Sequence, residues 1–290
     1  MPITEAYRPG SRCLSFELFP PKQVADLDSL EETVRQLTSY NPDYFTCTYG
    51  AGGSSQDRTL QVIDRVRQAT GLPVASHLTC VGSTVDRLRS YLQEASDRGV
   101  DSIVALRGDP PKGETQFTAV EGGLRYANEL VELIRAEFPQ FGIAVAGYPE
   151  VHQEAPSAEV DLDNLKRKVD AGADAIITQL FYDNADFFRF RDAVRQAGIT
   201  IPLVPGLLPI TNLAQAQRIA SMCKARLPGP LVERLQELDT TDWQFQVGVE
   251  HARQQTVELM EEGADGLHLY VLNRSKAASI LLEGLEFATA

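Results

Sequence analysis

Short apolar runs alternate with longer amphipathic ones along the whole chain. The apolar runs are CLSFELF (13–19), YFTCTY (44–49), PVASHLT (73–79), SIVALR (102–107), IAVAGY (143–148), AIITQL (175–180), IPLVPG (201–206) and GLHLYV (266–271). Each has the length of a strand and bounding turn residues. Between them, SLEETVRQLTSY (29–40), QDRTLQVIDRVRQAT (56–70) and TVDRLRSYLQEASDRG (84–99) place apolar residues every three to four positions, the spacing of a helix with one buried face. Strand–helix alternation predicts βα units and a parallel sheet. Eight such units in 290 residues match a (β/α)8 TIM barrel, a single α/β domain over residues 1–290. The gap from 207 to 265 is too long for one helix, and Pro228 and Pro230 predict its division into two or more. An open doubly wound sheet is the alternative, but it calls for a phosphate fingerprint. The nearest candidate, GAGGSS (50–55), lacks the third glycine of G-x-G-x-x-G, and no P-loop lysine follows it.

Strand side chains alternate between faces. Leu14, Phe16 and Leu18 therefore share one side, and Ser15 and Glu17 the other. In a barrel the first set meets the helices and the second points inward, which puts Glu17 inside the barrel near its C-terminal mouth. Thr46 and Thr48, Ala75 and His77, and His268 and Tyr270 follow the same inward parity. Arg107 and Asp109 close the fourth strand, and Gln179 lies near the end of the sixth. Polar groups thus gather at the strand ends where barrel active sites lie. Glu17 stands out, because a lone carboxylate among apolar neighbours is costly to bury.

Composition narrows the partners. The net charge of −13 argues against nucleic acid and anionic membranes. No run approaches the roughly 20 apolar residues of a membrane span, and the N-terminus MPITEAYRPGSR has no apolar signal region. Cys13, Cys47, Cys80 and Cys223 are scattered without a C-x-x-C pair, which suits reduced thiols in a cytoplasm and no metal site. One basic cluster, Lys166, Arg167 and Lys168, opens a helix after the polar loop YPEVHQEA (148–155) and is a candidate partner for a dinucleotide's pyrophosphate.

Nine segments together resemble the methylenetetrahydrofolate reductase family, FAD-dependent enzymes of one-carbon metabolism. They are SFELFPPK, TYGAGGSSQDRT, HLTC, ALRGDPP, YPEVHQEA, NLKRKVDAGAD, ITQLFYD, PGLLP and LYVLNRS, in family order from residue 15 to 275. The resemblance implies a TIM barrel, FAD as cofactor, and reduction of 5,10-methylenetetrahydrofolate to 5-methyltetrahydrofolate with electrons from NADH or NADPH. The two half-reactions would share one flavin site. It also implies a homo-oligomer, dimer or tetramer, of the short bacterial type without a regulatory domain. Glu17 matches the general acid that protonates N10 of the folate, and Asp109 the aspartate between flavin and pterin. Thr48, Gln179 and Arg274 match contacts to nicotinamide or folate. The FAD positions are Tyr49, Ala51, His77, Arg107, Gly108, Asp109, Ala127, Tyr148, His152, Ala155, Asp161, Asn164, Arg167 and Lys168. The chain departs from the family pattern at Leu213, where an aromatic residue is usual.

Two other functions remain in view. A cofactor-free barrel lyase or aldolase would want a lysine or a metal cluster at the strand ends, and neither stands in the sequence. A non-catalytic flavin- or folate-binding subunit would not need both Glu17 and Asp109.

Overall fold

The computed structural model describes residues 3–7, 12–49, 56–110, 113–114 and 116–287. Along them run α1 (Ile3–Ala6), β1 (Cys13–Leu18), α2 (Leu27–Thr38), β2 (Tyr44–Cys47), α3 (Gln56–Thr70), β3 (Val74–Thr79), α4 (Val85–Asp97), β4 (Ser102–Leu106), α5 (Ala127–Glu137), β5 (Gly142–Gly147) and α6 (Ala158–Asp170). The second half continues with β6 (Ala175–Thr178), α7 (Asn184–Gln196), β7 (Leu203–Val204), β8 (Gly206–Leu207), α8 (Leu213–Cys223), α9 (Gly229–Gln236), α10 (Thr241–Glu261), β9 (Gly266–Tyr270) and α11 (Lys276–Leu282). Side-chain oxygens of Thr84, Ser157, Asp183, Asn212 and Thr240 accept backbone N–H groups and start α4, α6, α7, α8 and α10. The long stretch after residue 207 holds α8, α9 and α10, and Pro228 caps the second of them.

The pairings between these nine strands are all parallel among the described residues, in the order β7-β6-β5-β4-β3-β2-β1-β9-β8. The seventh predicted strand is two short pieces. Pro205 has no N–H to give, so the segment switches partners there: β7 pairs with β6, and β8 pairs with β9. That one segment closes the barrel. Gly206 is required at the seam, since a Cβ would lie 2.3 Å from the Thr178 carbonyl and 2.7 Å from the Tyr270 ring.

The alternation read from β1 holds. Leu14, Phe16 and Leu18 join the outer core with Leu30, Val34 and Leu37 of α2. The inner layer is made of Cys13, Tyr44, Ala75, Val104, Ala144, Ala175, Ile177 and Val204. Ile3 and Ala6 of α1 cover its lower end, where the Ile3 N–H donates to Ser102 Oγ at 2.8 Å. Apolar packing fills the floor of the barrel and leaves the polar inward residues to its upper half.

Candidate active site

A cavity of about 430 Å³ opens at the C-terminal ends of the strands. Glu17, His77, His268 and Tyr270 line its inner part, and Arg107, Gly108, Asp109, Tyr148, His152 and Gln179 its rim. Leu180, Leu208, Ile219 and Leu272 give it an apolar wall. A groove of about 380 Å³ shares Leu106, Arg107, Ala146, Tyr148 and His152 with it. That groove continues outward over Ala127, Ala155, Asp161, Asn164, Arg167 and Lys168.

Glu17 is 7% exposed, and burial pushes its carboxyl up to about 8. Its Oε2 lies 3.6 Å from His77 Nε2. Burial lowers the imidazole to about 4, so at neutral pH the ring is uncharged and the carboxyl holds the proton. A carboxylic acid kept protonated at the inner end of an open cavity is equipped to donate.

Gly108 turns the chain at the rim. Its φ is +89°, and a Cβ there would lie 2.7 Å from Val81 Cγ1. This turn carries the exposed Asp109 over the cavity. Beside it, the Arg107 guanidinium forms a two-pronged pair with Glu154, both contacts 2.6 Å, and lies over the Phe117 ring at 5.0 Å. The loop bearing Glu154 is tied to α6 through the His152 N–H, which donates to Asp161 at 2.9 Å. His152 also meets the Tyr148 ring edge-on at 4.6 Å.

Helix geometry separates the basic cluster. Lys166 pairs with Asp170 one turn on, at 2.9 Å, and stays out of the groove. Arg167 and Lys168 line it, with no carboxylate at ion-pair distance from either among the described residues. Lys168 Nζ donates to the Ala146 carbonyl at 2.5 Å and stands 5.8 Å from the Tyr148 ring centre. Burial lowers its ammonium to about 8. Two cations without acidic partners, in a chain of net charge −13, suit an anionic bridge such as a pyrophosphate.

Some expected residues stand elsewhere. Tyr49 is buried in the outer core, edge-on to Tyr91 at 5.4 Å. Thr48 donates its backbone N–H to Leu18, and its carbonyl accepts from the Thr59 hydroxyl at 3.2 Å. Arg274 is exposed, and neither it nor Thr48 lines the cavity or the groove. Ala51 lies outside the described residues. Leu213 packs beside the cluster of Leu180 and Leu208 behind the cavity wall.

Sequence reasoning missed Glu154 and Leu272, and it gave Tyr270 an inward parity without a place among the site residues. Two unassigned acids in YPEVHQEA, Glu150 and Glu154, were the available signal. Tyr270 shares the parity of His268, and its hydroxyl donates to the Thr178 carbonyl at 2.6 Å. Leu272 left no signal. It reaches the cavity because Leu272 and Asn273 both adopt left-handed backbone, φ 49° and 56°. The Asn273 side chain holds that turn by exchanging two 2.8 Å bonds with the Phe19 backbone.

Among the described residues no group of three or more His, Cys, Asp or Glu is placed to hold a metal ion. No described helix is long and apolar enough to cross a membrane. A family model described as methylenetetrahydrofolate reductase matches residues 3–286. The chain belongs to the methylenetetrahydrofolate reductase family. It is 40% identical over 268 residues to the 5,10-methylenetetrahydrofolate reductase of Escherichia coli (strain K12), covering 92% of this chain and 88% of that one. It is 39% identical over 294 residues to methylenetetrahydrofolate reductase (NADH) 1 of Zea mays, covering 98% of this chain and 50% of that one. The chain spans about half the length of the plant members of the family that it matches. Among solved structures, a Clostridium thermocellum protein described as binding two copies of 5-methyl-5,6,7,8-tetrahydrofolic acid is similar with a TM-score of 0.64 and 13% identity, covering 93% of this chain and 94% of that one. At that identity the likeness speaks for the barrel alone. Within the reductase family, therefore, the case for this chain's chemistry rests on Glu17 and the two cavities.

Proposed function

We propose that the chain reduces 5,10-methylenetetrahydrofolate to 5-methyltetrahydrofolate in two half-reactions at one cavity, with FAD as cofactor and NADH or NADPH as donor. The observation that carries this reading is Glu17, a buried carboxylic acid at the end of a cavity that runs on into a cation-lined groove. Family membership and the naming of the maize relative for NADH support it and put NADH first among donors.

The groove fits FAD by its donor set. Arg167 and Lys168 would face the pyrophosphate, and Asp161 and Asn164 the ribose hydroxyls. Tyr148 and His152 stand where groove and cavity join. When bound, FAD would accept hydride from the nicotinamide and deliver it to the folate. The chain's own residues do the rest. Glu17 gives its proton to N10 of the folate, opening the five-membered ring so that the one-carbon unit stays on N5. Asp109 accepts hydrogen bonds from the pterin at the rim, and Gln179 reaches the folate or the nicotinamide in turn. Leu180, Leu208, Ile219 and Leu272 keep water from the reacting atoms.

The test is anaerobic. NADH should bleach the flavin absorbance of the purified protein, and methylenetetrahydrofolate should restore it. Protein that stays colourless after incubation with FAD, or bleached flavin that the folate does not reoxidise, overturns the reading.

A further inference from the structure

The cavity continues below Glu17. His268, Val104 and Ile177, deep in the barrel, belong to its lining. Unusual polar atoms stand in and beside this lower part: His77 and His268 line it, and Thr46 stands opposite Glu17 on the next strand. Thr46 and His268 are entirely buried, and His77 is 7% exposed. Thr46 Oγ1, His77 Nε2 and His268 Nε2 have no hydrogen-bond partner among the described residues. Buried polar atoms without partners are rare and costly, so three of them around one carboxyl call for an explanation.

The strand register places them together. Glu17 stands opposite Thr46 across β1–β2 and opposite Tyr270 across β1–β9. His268 is two residues before Tyr270, hence diagonal to Glu17 on the same inner face. His268 is also anchored. Ser15 Oγ donates to the Leu267 carbonyl at 3.5 Å and lies 2.8 Å from His268 Nδ1. Ser15 thus partners the Nδ1 side of the ring, and Nε2 is left without a protein partner among the described residues. The site is polar on several sides and opens into a cavity far larger than one water, the conditions for ordered internal water.

We propose that Thr46, His268 and His77 bind internal water beneath Glu17, and that this water donates a hydrogen bond to the Glu17 carboxylate as it forms. The inference rests on Glu17 being the general acid. When the proton leaves for N10, negative charge appears on a buried carboxylate that lies 3.6 Å from His77. A donor held in place before the charge develops lowers the cost of that step. Thr46, His268 and Ser15 act through Glu17 and are positioning residues.

The other titratable groups around Glu17 are His77 on β3, Tyr270 and His268 on β9, Cys47 on β2, and Cys223 on α8, with Asp109 and Arg107 at the rim. Burial keeps both histidines neutral and raises both thiols. Near neutral pH neither these imidazoles nor these thiols compete with Glu17 as the titrating group of the inner cavity.

The experiment compares Thr46→Val, which keeps the shape, with Thr46→Ser, which keeps the hydroxyl, in the full-length FAD-loaded protein. In Thr46→Val the folate half-reaction should slow about tenfold, the worth of one hydrogen bond. The alkaline limb of its pH profile should move up, because the carboxylate has lost a donor. Thr46→Ser should restore both within about threefold, and flavin reduction by NADH should not change in either variant. In a Glu17→Gln background Thr46→Val should add nothing, since both act through one group. The proposal is overturned if Thr46→Val slows both half-reactions alike, slows neither, or keeps its full effect when combined with Glu17→Gln. It is also overturned if Thr46→Val raises the unfolding midpoint, which marks a dry cavity with an unsatisfied hydroxyl. If Glu17→Gln alone leaves folate reduction intact, the general-acid reading fails, and this inference with it.

Discussion

Glu17→Gln tests the central claim by a route that needs neither cofactor nor substrate. An ordinary glutamate ionises near 4.5, while burial holds Glu17 at about 8 in the folded chain. Between those values the unfolded chain has lost the proton and the folded one keeps it. Rising pH therefore favours unfolding across this window, by about 1.4 kcal/mol per pH unit. At pH 7 the penalty is on the order of 3 kcal/mol, since that pH lies about 2.5 above the ordinary value. A glutamine at this position does not titrate and carries no such slope. The variant should gain stability relative to the native chain as pH rises from about 5 to about 8, then level off. Urea unfolding midpoints at four pH values measure the difference directly. The same variant should lose folate reduction by roughly 10²–10⁴-fold while accepting electrons from NADH normally. A protein that becomes more stable and loses one half-reaction has had a strained functional group removed. Parallel stability curves for the two chains across pH 5–8 would refute the reasoning, since Glu17 would then be ionised and unable to donate.

Two further tests address the groove and the rim. Arg167→Ala and Lys168→Ala should each weaken FAD binding by roughly 1.5–3 kcal/mol, whereas Lys166→Ala, already paired outside the groove, should change it by less than about 0.5 kcal/mol; dissociation measured by flavin fluorescence decides, and equal effects at all three positions would reduce the cluster to a general charge effect. Gly108→Ala meets both a left-handed backbone and Val81 at 2.7 Å, so thermal unfolding should show a loss of roughly 2–4 kcal/mol; an unchanged midpoint would mean that the turn bearing Asp109 adapts freely.

Much of this architecture can be read along the chain, because barrel geometry is written in local periods. Alternation in LSFEL separates the helix-facing leucines from Ser15 and Glu17, and the strand–helix rhythm leads to a parallel sheet. Glu17 stood out because a charged residue broke an apolar run, and that anomaly survives folding. The segment around Pro205 reads as one strand, yet it is two: which neighbours flank a proline is settled by closure of the ring. Local order likewise could not say that Lys166 leaves the groove while Arg167 and Lys168 enter it, since that depends on how α6 is rotated against β5. The Arg107–Glu154 pair joins residues 47 apart in sequence, and Leu272 reaches the cavity only through a turn locked to Phe19, more than 250 residues away. Strand parity and residue chemistry are local, so chain order alone shows that Ser15, Glu17, His77 and His268 share the inward face and which of them carry protons. Which of them meet, how dry their surroundings are, and hence that Glu17 keeps its proton follow from the closed barrel, because burial and cross-strand neighbours exist only there.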